Sequence, residues 1–274
     1  MATTGMLALQ GARLYYEVTG ADHLPAVVMA HAGIADHTMW AGQVAEFQDR
    51  YRMITYDARG YGHSETTATV EFSNRADLLA LLDHLQLERP ILMGCSRGGQ
   101  IVSEFALEFP DRISALILVC AGISRYPFPD DLTLPEEAAL FEAMEEAEEV
   151  GDWERVAELD VRVWVDGVRR GGMGNAEVRE HVRAMCLHNY TRGDNPGTVI
   201  PLDPPPGHRL PTLRIPTLVL VGEFDTSVAR YSAEVLATTI PNARKVVIKE
   251  AAHVPNLEQP VVFNALMSDF LATL

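Results

Sequence analysis

The sequence predicts an α/β protein in which a mostly parallel sheet of eight strands is flanked by helices and interrupted by one helical insertion. Three observations carry this expectation. Apolar runs of strand length alternate with helical patterns in the first 125 residues and again near the carboxyl end. The run Ile91 to Cys95 ends in Gly94-Cys95-Ser96-Arg97-Gly98 and opens directly into a helical pattern. From about Tyr126 to Arg209 strand patterning disappears and helical periodicity takes over. The expected division is a core of residues 1–125 and 210–274 with an inserted cap, or lid, at 126–209.

Taken in order, Leu7 to Leu9 and Leu14 to Val18 read as an opening strand pair joined at Gly11, and Pro25 introduces the strand Ala26 to Ala30. Met53 to Tyr56 follows, then a helix from about Ser73 to Leu87 and the buried strand Ile91 to Cys95. Ile101, Val102, Phe105, Ala106 and Phe109 recur at helical spacing before Pro110 stops the helix. Ile113 to Cys120 is the sixth strand. Within the insertion, Glu136 to Asp160 is dense in acid, with Leu140, Phe141, Met144, Trp153, Val156 and Leu159 at positions that fit an amphipathic helical pair. Pro201, Pro204, Pro205, Pro206 and Pro211 form a semi-stiff return. Thr217 to Val221, a helix around Ala229 to Thr238, Lys245 to Ile248 and a helix from about Val261 complete the alternation. An insertion after the sixth strand sits above the carboxyl ends of the strands, where α/β sheets bind ligands.

Composition narrows the function classes. Hydrophobic residues make up 47% and charged residues 22% of the 274, which is ordinary globular material. A formal charge of −16 disfavours nucleic acid and anionic membranes as partners, since phosphate binding needs clustered positive charge. The first residues lack a basic cluster ahead of a long apolar segment, so a cytoplasmic protein is expected. The cysteines, Cys95, Cys120 and Cys186, have neither metal-ligand spacing nor the number of a disulfide framework. Cys95 should point away from Ser96 by strand alternation and act as a small buried hydrophobe.

The chemistry gathers around Ser96. A sharp strand-to-helix turn would hold its hydroxyl exposed, with Gly94 and Gly98 keeping neighbouring side chains away. The Arg97 amide would open the helix, where unpaired N–H groups favour developing negative charge. A serine hydroxyl needs a base, and the base an orienting acid. Val221-Gly222-Glu223-Phe224-Asp225 ends one strand with two carboxylates, and Glu250-Ala251-Ala252-His253 follows the last strand. Asp225 is the expected acid, with Glu223 as the fallback, and His253 the expected base. The second oxyanion donor is expected from His31-Ala32-Gly33-Ile34, with Gly33 supplying the amide.

These residues resemble the α/β-hydrolase fold superfamily over nearly the whole chain. His31-Ala32-Gly33 leading to Trp40 is similar to its oxyanion turn. Asp57-Ala58-Arg59-Gly60-Tyr61-Gly62-His63-Ser64 resembles its D-x-R-G-x-G-x-S loop, which is usually structural. Gly222-Glu223-Phe224-Asp225 and His253 to Pro260 match its acid turn and histidine loop, and Ala32 departs from the glycine common at that place. The resemblance implies a Ser96–His253–Asp225 serine hydrolase of the esterase or lactonase kind, working on a small carboxylic ester or lactone through an acyl-enzyme, with no metal or organic cofactor. The same triad also serves carbon-carbon bond hydrolysis of dienol-type diketones, for which Arg169, Arg170 and Arg192 are candidate carboxylate partners, and a cofactor-free perhydrolase or peroxidase-like reaction. A non-catalytic small-ligand receptor is the reading from a different class, disfavoured by the intact triad. Trp164, Met185, His188 and Tyr190 are candidate pocket residues. A small-molecule substrate is the expected partner, and the oligomeric state stays open, a homodimer included.

Overall fold

A computed structural model describes residues 2–274. Eight strands form the main sheet: β1 (Thr3–Leu9), β2 (Ala12–Thr19), β3 (Ala26–Ala30), β4 (Arg52–Tyr56), β5 (Ile91–Cys95), β6 (Ala115–Val119), β7 (Thr217–Gly222) and β8 (Ala243–Ile248). Their spatial order is β1-β2-β4-β3-β5-β6-β7-β8. A ninth strand, Glu65–Thr66, pairs with β2 beside this path, so the sheet has one short member more than the sequence predicts. β2 runs antiparallel to β1 and β4, and from β4 to β8 all pairing is parallel.

Parallel neighbours need crossovers, and helices supply them on both faces. The core helices are α1 (Ala41–Phe47), α2 (Asn74–His84) and α3 (Arg97–Glu108). Doubly covered strands read as continuous apolar runs, and β5, β6 and β7 are buried along their whole length. The predicted start of α2 at Ser73 is its cap, whose hydroxyl accepts from the Ala76 amide at 3.3 Å. α2 stops at His84 rather than Leu87, and Gln86 just beyond it takes a positive φ of 55°.

Between β6 and β7 lie α4 (Pro135–Glu149), α5 (Trp153–Val161), a π-helical turn (Arg162–Gly167) and α6 (Ala176–Thr191). Asp152 and Asn175 cap α5 and α6 through bonds to backbone amides. Val70–Phe72 and Gly197–Val199 form a separate two-stranded ribbon that joins the chain after α6 to the loop after β4. The chain closes with α7 (Ser227–Thr239), α8 (Pro255–Glu258) and α9 (Pro260–Leu271). No helix among the described residues is long and apolar enough to cross a membrane.

Candidate active site

Ser96 occupies the single residue between β5 and α3, with φ 52° and ψ −113°. Such a backbone is strained for a side chain-bearing residue and persists only where the surroundings enforce it. Here they do. A Cβ at Gly94 would overlap the Gly98 carbonyl, and one at Gly98 would overlap the Ala30 carbonyl, so β3, β5 and α3 close on the elbow with no space for a methyl. The Ser96 amide donates to the Val119 carbonyl at 2.9 Å, fixing the elbow to the end of β6. Cys95 is fully buried and its Sγ reaches the His253 carbonyl at 3.5 Å, so the histidine loop crosses the strand end beside the serine.

Asp225 lies after β7 and is fully buried. Its carboxylate accepts from the Thr226 amide at 2.7 Å and from His253 Nδ1 at 2.8 and 3.0 Å. With Nδ1 committed in this way, the imidazole keeps Nε2 for a further proton. Glu223, the fallback acid, instead accepts from the Glu250 amide at 3.2 Å and ties the acid turn to the histidine loop. Cys120 approaches the same pair: Cys120, Asp225 and His253 each bring one potential ligand atom within 4.8 Å of the others. Burial, reinforced by the Asp225 charge, pushes the Cys120 thiol well up, which suits a neutral neighbour better than a thiolate metal ligand.

His253 is held from three sides. Its amide donates to the Trp164 carbonyl at 2.9 Å, and the Trp164 indole lies with ring centroids 4.4 Å apart and planes at 42°. Trp164 sits in the π-helical turn, and its indole Nε1–H donates to Asp160 at 3.0 Å. Asp160 also accepts from the Tyr190 hydroxyl, and burial pushes its carboxyl up to about 6 against the opposing pull of these two bonds. On the far side, Glu258 accepts from the Ala252 amide at 2.8 Å and the Val254 amide at 3.3 Å and pairs with Arg170 at 2.5 Å. Sequence reasoning gave Glu258 no part and offered Arg170 as a substrate ligand. Neither has a local motif, because the partners lie 88 positions apart.

The turn His31 to Ile34, expected to supply an oxyanion donor, is braced by His31, whose Nδ1 lies 2.7 Å from the Ala32 carbonyl and whose Nε2 accepts from the Ala58 amide at 3.0 Å. Burial holds this imidazole below its ordinary range, so it remains a neutral brace. Gly33 lies against Arg97: a Cβ built on it would sit 3.8 Å from Arg97 Cβ. Neither the Gly33 nor the Arg97 amide donates to another described residue. The loop after β4 supports this turn from below. Asp57 accepts from the His37 amide and Nδ1 and from the His63 amide, Arg59 forks onto Asp77 at 2.5 and 2.8 Å, and the Ser64 hydroxyl donates to the Asp57 carbonyl. Although burial opposes it, the bonds from His37 hold Asp57 low.

Of the four candidate pocket residues, Trp164 meets His253. The other three lie on α6. Met185 Sδ accepts from the Thr38 hydroxyl at 3.4 Å, His188 Nε2 lies 3.2 Å from the Gly62 carbonyl, and Tyr190 packs on Trp153 with rings 5.8 Å apart. Asn189, which the sequence did not single out, donates to the Ala35 carbonyl and accepts from the Gly62 amide. The three arginines offered as carboxylate partners are all engaged. Arg169 donates to Ser227, Arg170 pairs with Glu258, and Arg192 donates to the Gly62 and Ser64 carbonyls while pairing with Asp194.

A family model described as the alpha/beta hydrolase fold matches residues 25–160. The chain is 27% identical over 268 residues to 3-oxoadipate enol-lactonase 2 of Acinetobacter baylyi, covering 94% of this chain and 92% of that protein. It is similar to the crystal structure of the enol-lactonase from Burkholderia xenovorans LB400, at 25% identity and a TM-score of 0.76 over 98% of this chain and 100% of that one. It is also similar to a thermophilic esterase from Thermogutta terrifontis with malate bound, at 29% identity and a TM-score of 0.74 over 100% and 98% of the two chains. With the eight-strand order, the strained serine elbow and the paired Asp225 and His253, these likenesses make the chain an enzyme of the α/β-hydrolase fold superfamily.

Proposed function

We propose that this enzyme hydrolyses a small carboxylic ester or lactone through an acyl-enzyme on Ser96. The observation that carries the reading is the Asp225–His253 pair, buried and hydrogen bonded through Nδ1 at 2.8 Å, on a loop whose His253 carbonyl meets Cys95, the residue before the strained Ser96. In the first half-reaction Ser96 Oγ attacks the carbonyl carbon and its proton passes to His253 Nε2. Asp225 holds the imidazolium that results, and the Gly33 and Arg97 amides receive the oxyanion. Collapse breaks the bond to the alkoxy group, which takes the proton from His253. Water then repeats the sequence on the acyl-serine and releases the acid. In a lactone the leaving alkoxide stays tethered to the acyl group, and the same residues serve.

Residues 126–209 act as the cap in this account. Its π-helical turn touches His253 and its last helix touches both loops beneath the oxyanion turn, so its seat bears on base and oxyanion donors together. The engagement of Arg169, Arg170 and Arg192 removes the specific support for the dienol-diketone alternative. The test is steady-state release of p-nitrophenolate from esters of increasing acyl length by wild type and Ser96→Ala. A loss of at least about 10⁴-fold in kcat is expected, and undiminished turnover by the variant would overturn the assignment.

A further inference from the structure

Trp164 lies in the inserted segment, far from His253 in sequence, yet it meets that residue through both main chain and side chain. The His253 amide donates to the Trp164 carbonyl at 2.9 Å, and the indole lies against the imidazole with centroids 4.4 Å apart and planes inclined at 42°. The turn that carries Trp164 is π-helical, a rare backbone that recurs at functional sites. Gly167 closes it with φ 72°, and a Cβ there would sit 2.7 Å from the Phe224 carbonyl and 3.0 Å from Ala252 Cβ. The turn is thus pressed against the acid turn and the histidine loop together. The indole is held from behind as well: its Nε1–H donates to Asp160 at 3.0 Å, and the Phe141 ring of α4 stands 5.8 Å away. Asp160 is buried and accepts from the Tyr190 hydroxyl of α6, so two cap helices set which way the indole turns.

His253 becomes a cation each time it takes a proton from the attacking group, and the transition state gains from whatever favours that form. Asp225 is the carboxylate in hydrogen-bond contact with the ring. The Cys95 and Cys120 thiols at the strand ends are kept neutral by burial, and Glu258, which accepts from the amides on either side of His253, has Arg170 as its counterion. The remaining neighbour is an electron-rich ring. Tryptophan offers the strongest aromatic face for a cation, and the contact acts within about 6 Å of the ring centroid. We infer that Trp164 is a positioning residue of the catalytic base, whose indole stabilises the imidazolium form of His253 and with it the transition states of both half-reactions. The cap then supplies part of the base, and the strength of that base depends on the cap being seated. Packing alone predicts something different, because a filler of similar bulk serves the neutral and charged imidazole equally. The kinetic consequence rests on the Ser96 hydrolase reading; the contact with His253 does not.

The experiment follows kcat and kcat/KM for p-nitrophenyl butyrate from about pH 5 to 9 in wild type, Trp164→Phe and Trp164→Leu. Trp164→Leu should lower kcat by about 3- to 30-fold and move the acid limb of kcat/KM to lower pH by about 0.5–1 unit, since the protonated base loses a favourable contact. Trp164→Phe keeps an aromatic face and should recover most of both. An acid limb that Trp164→Leu leaves in place overturns the inference, as does a loss in Trp164→Phe equal to that in Trp164→Leu. Fluorinated tryptophans at position 164 weaken the aromatic face stepwise at nearly constant shape, so they decide the matter if the leucine variant does not fold. There kcat should fall with each added fluorine, and a constant kcat overturns the inference. Proton NMR titration of the His253 imidazole makes the comparison without turnover. A midpoint that Trp164→Leu lowers retains the inference about the base even if no ester is hydrolysed and the esterase reading fails, and identical midpoints overturn it.

Discussion

The support behind His253 gives the sharpest stability prediction. Glu258 has a side chain 3% exposed and accepts from two amides that flank the histidine, while its partner Arg170 is 15% exposed. Removing one member of a buried ion pair costs about 3–5 kcal/mol, and each stranded buried amide about 1–3 kcal/mol. Arg170 retains other contacts, through Nη1 to the Val165 carbonyl, Nη2 to the Glu250 carbonyl and its stacking on Phe224, so its share falls at the low end. Glu258→Ala should therefore lose about 5 kcal/mol. Burial pushes the Glu258 carboxyl up despite the opposing pull of Arg170 and the amides, which shows that ionising it is itself expensive here. Glu258→Gln, which keeps an acceptor for Ala252 without the charge, should accordingly cost less, about 1–2 kcal/mol. Urea denaturation of both variants and of Arg170→Met with each provides the cycle, and the double change Arg170→Met with Glu258→Gln should cost at least about 1 kcal/mol less than the sum of its parts. Glu258→Ala within about 0.5 kcal/mol of wild type would refute the reasoning.

Three further outcomes follow from the same geometry. Asp225→Asn should leave the fold intact but lower kcat by about 10³- to 10⁴-fold, because an amide nitrogen facing Nδ1 favours the wrong imidazole tautomer; stopped-flow or steady-state ester assays read this directly. Asp160 is held protonated to about pH 6 when folded, above its ordinary 3.8, so its contribution to stability is largest below about pH 4 and declines as pH rises through about 6. Urea midpoints of Asp160→Asn should show a flatter profile than wild type across that window, and parallel profiles would remove the assignment. Gly98→Ala should destabilise by about 3 kcal/mol or fail to fold, since its methyl meets the Ala30 carbonyl, and thermal unfolding measures it.

The strands carrying the site were legible because each is an unbroken apolar run between turn residues, and Ala26–Ala30 and Ile91–Cys95 form with the bounds the pattern predicts. The elbow was legible for a mechanical reason, as glycines flanking a serine at a strand-to-helix junction leave few alternatives. α1 and the ribbon of Val70–Phe72 with Gly197–Val199 were not, being too short for a period to register. The π-helical turn was equally hidden, since it is defined by backbone bonds and not by residue type. The environment of the site rests on pairs distant in sequence: Trp164 with His253, Arg170 with Glu258, and Asn189 with Gly62. Arg97 is the instructive case. Its place after the nucleophile marked the amide, but only the surrounding structure shows that its side chain stacks on Tyr61 and donates to Asn74.

The central claim is a covalent acyl group on Ser96, and intact-protein mass spectrometry tests it most directly. Wild type and Ser96→Ala, acid-quenched milliseconds after mixing with p-nitrophenyl butyrate, would be weighed and the adduct mapped by peptide digestion. The account predicts one butyryl increment on the peptide containing Ser96, formed during the burst of p-nitrophenolate and absent from the variant. Rapid turnover with no increment, or an increment on another residue that persists in Ser96→Ala, would contradict it.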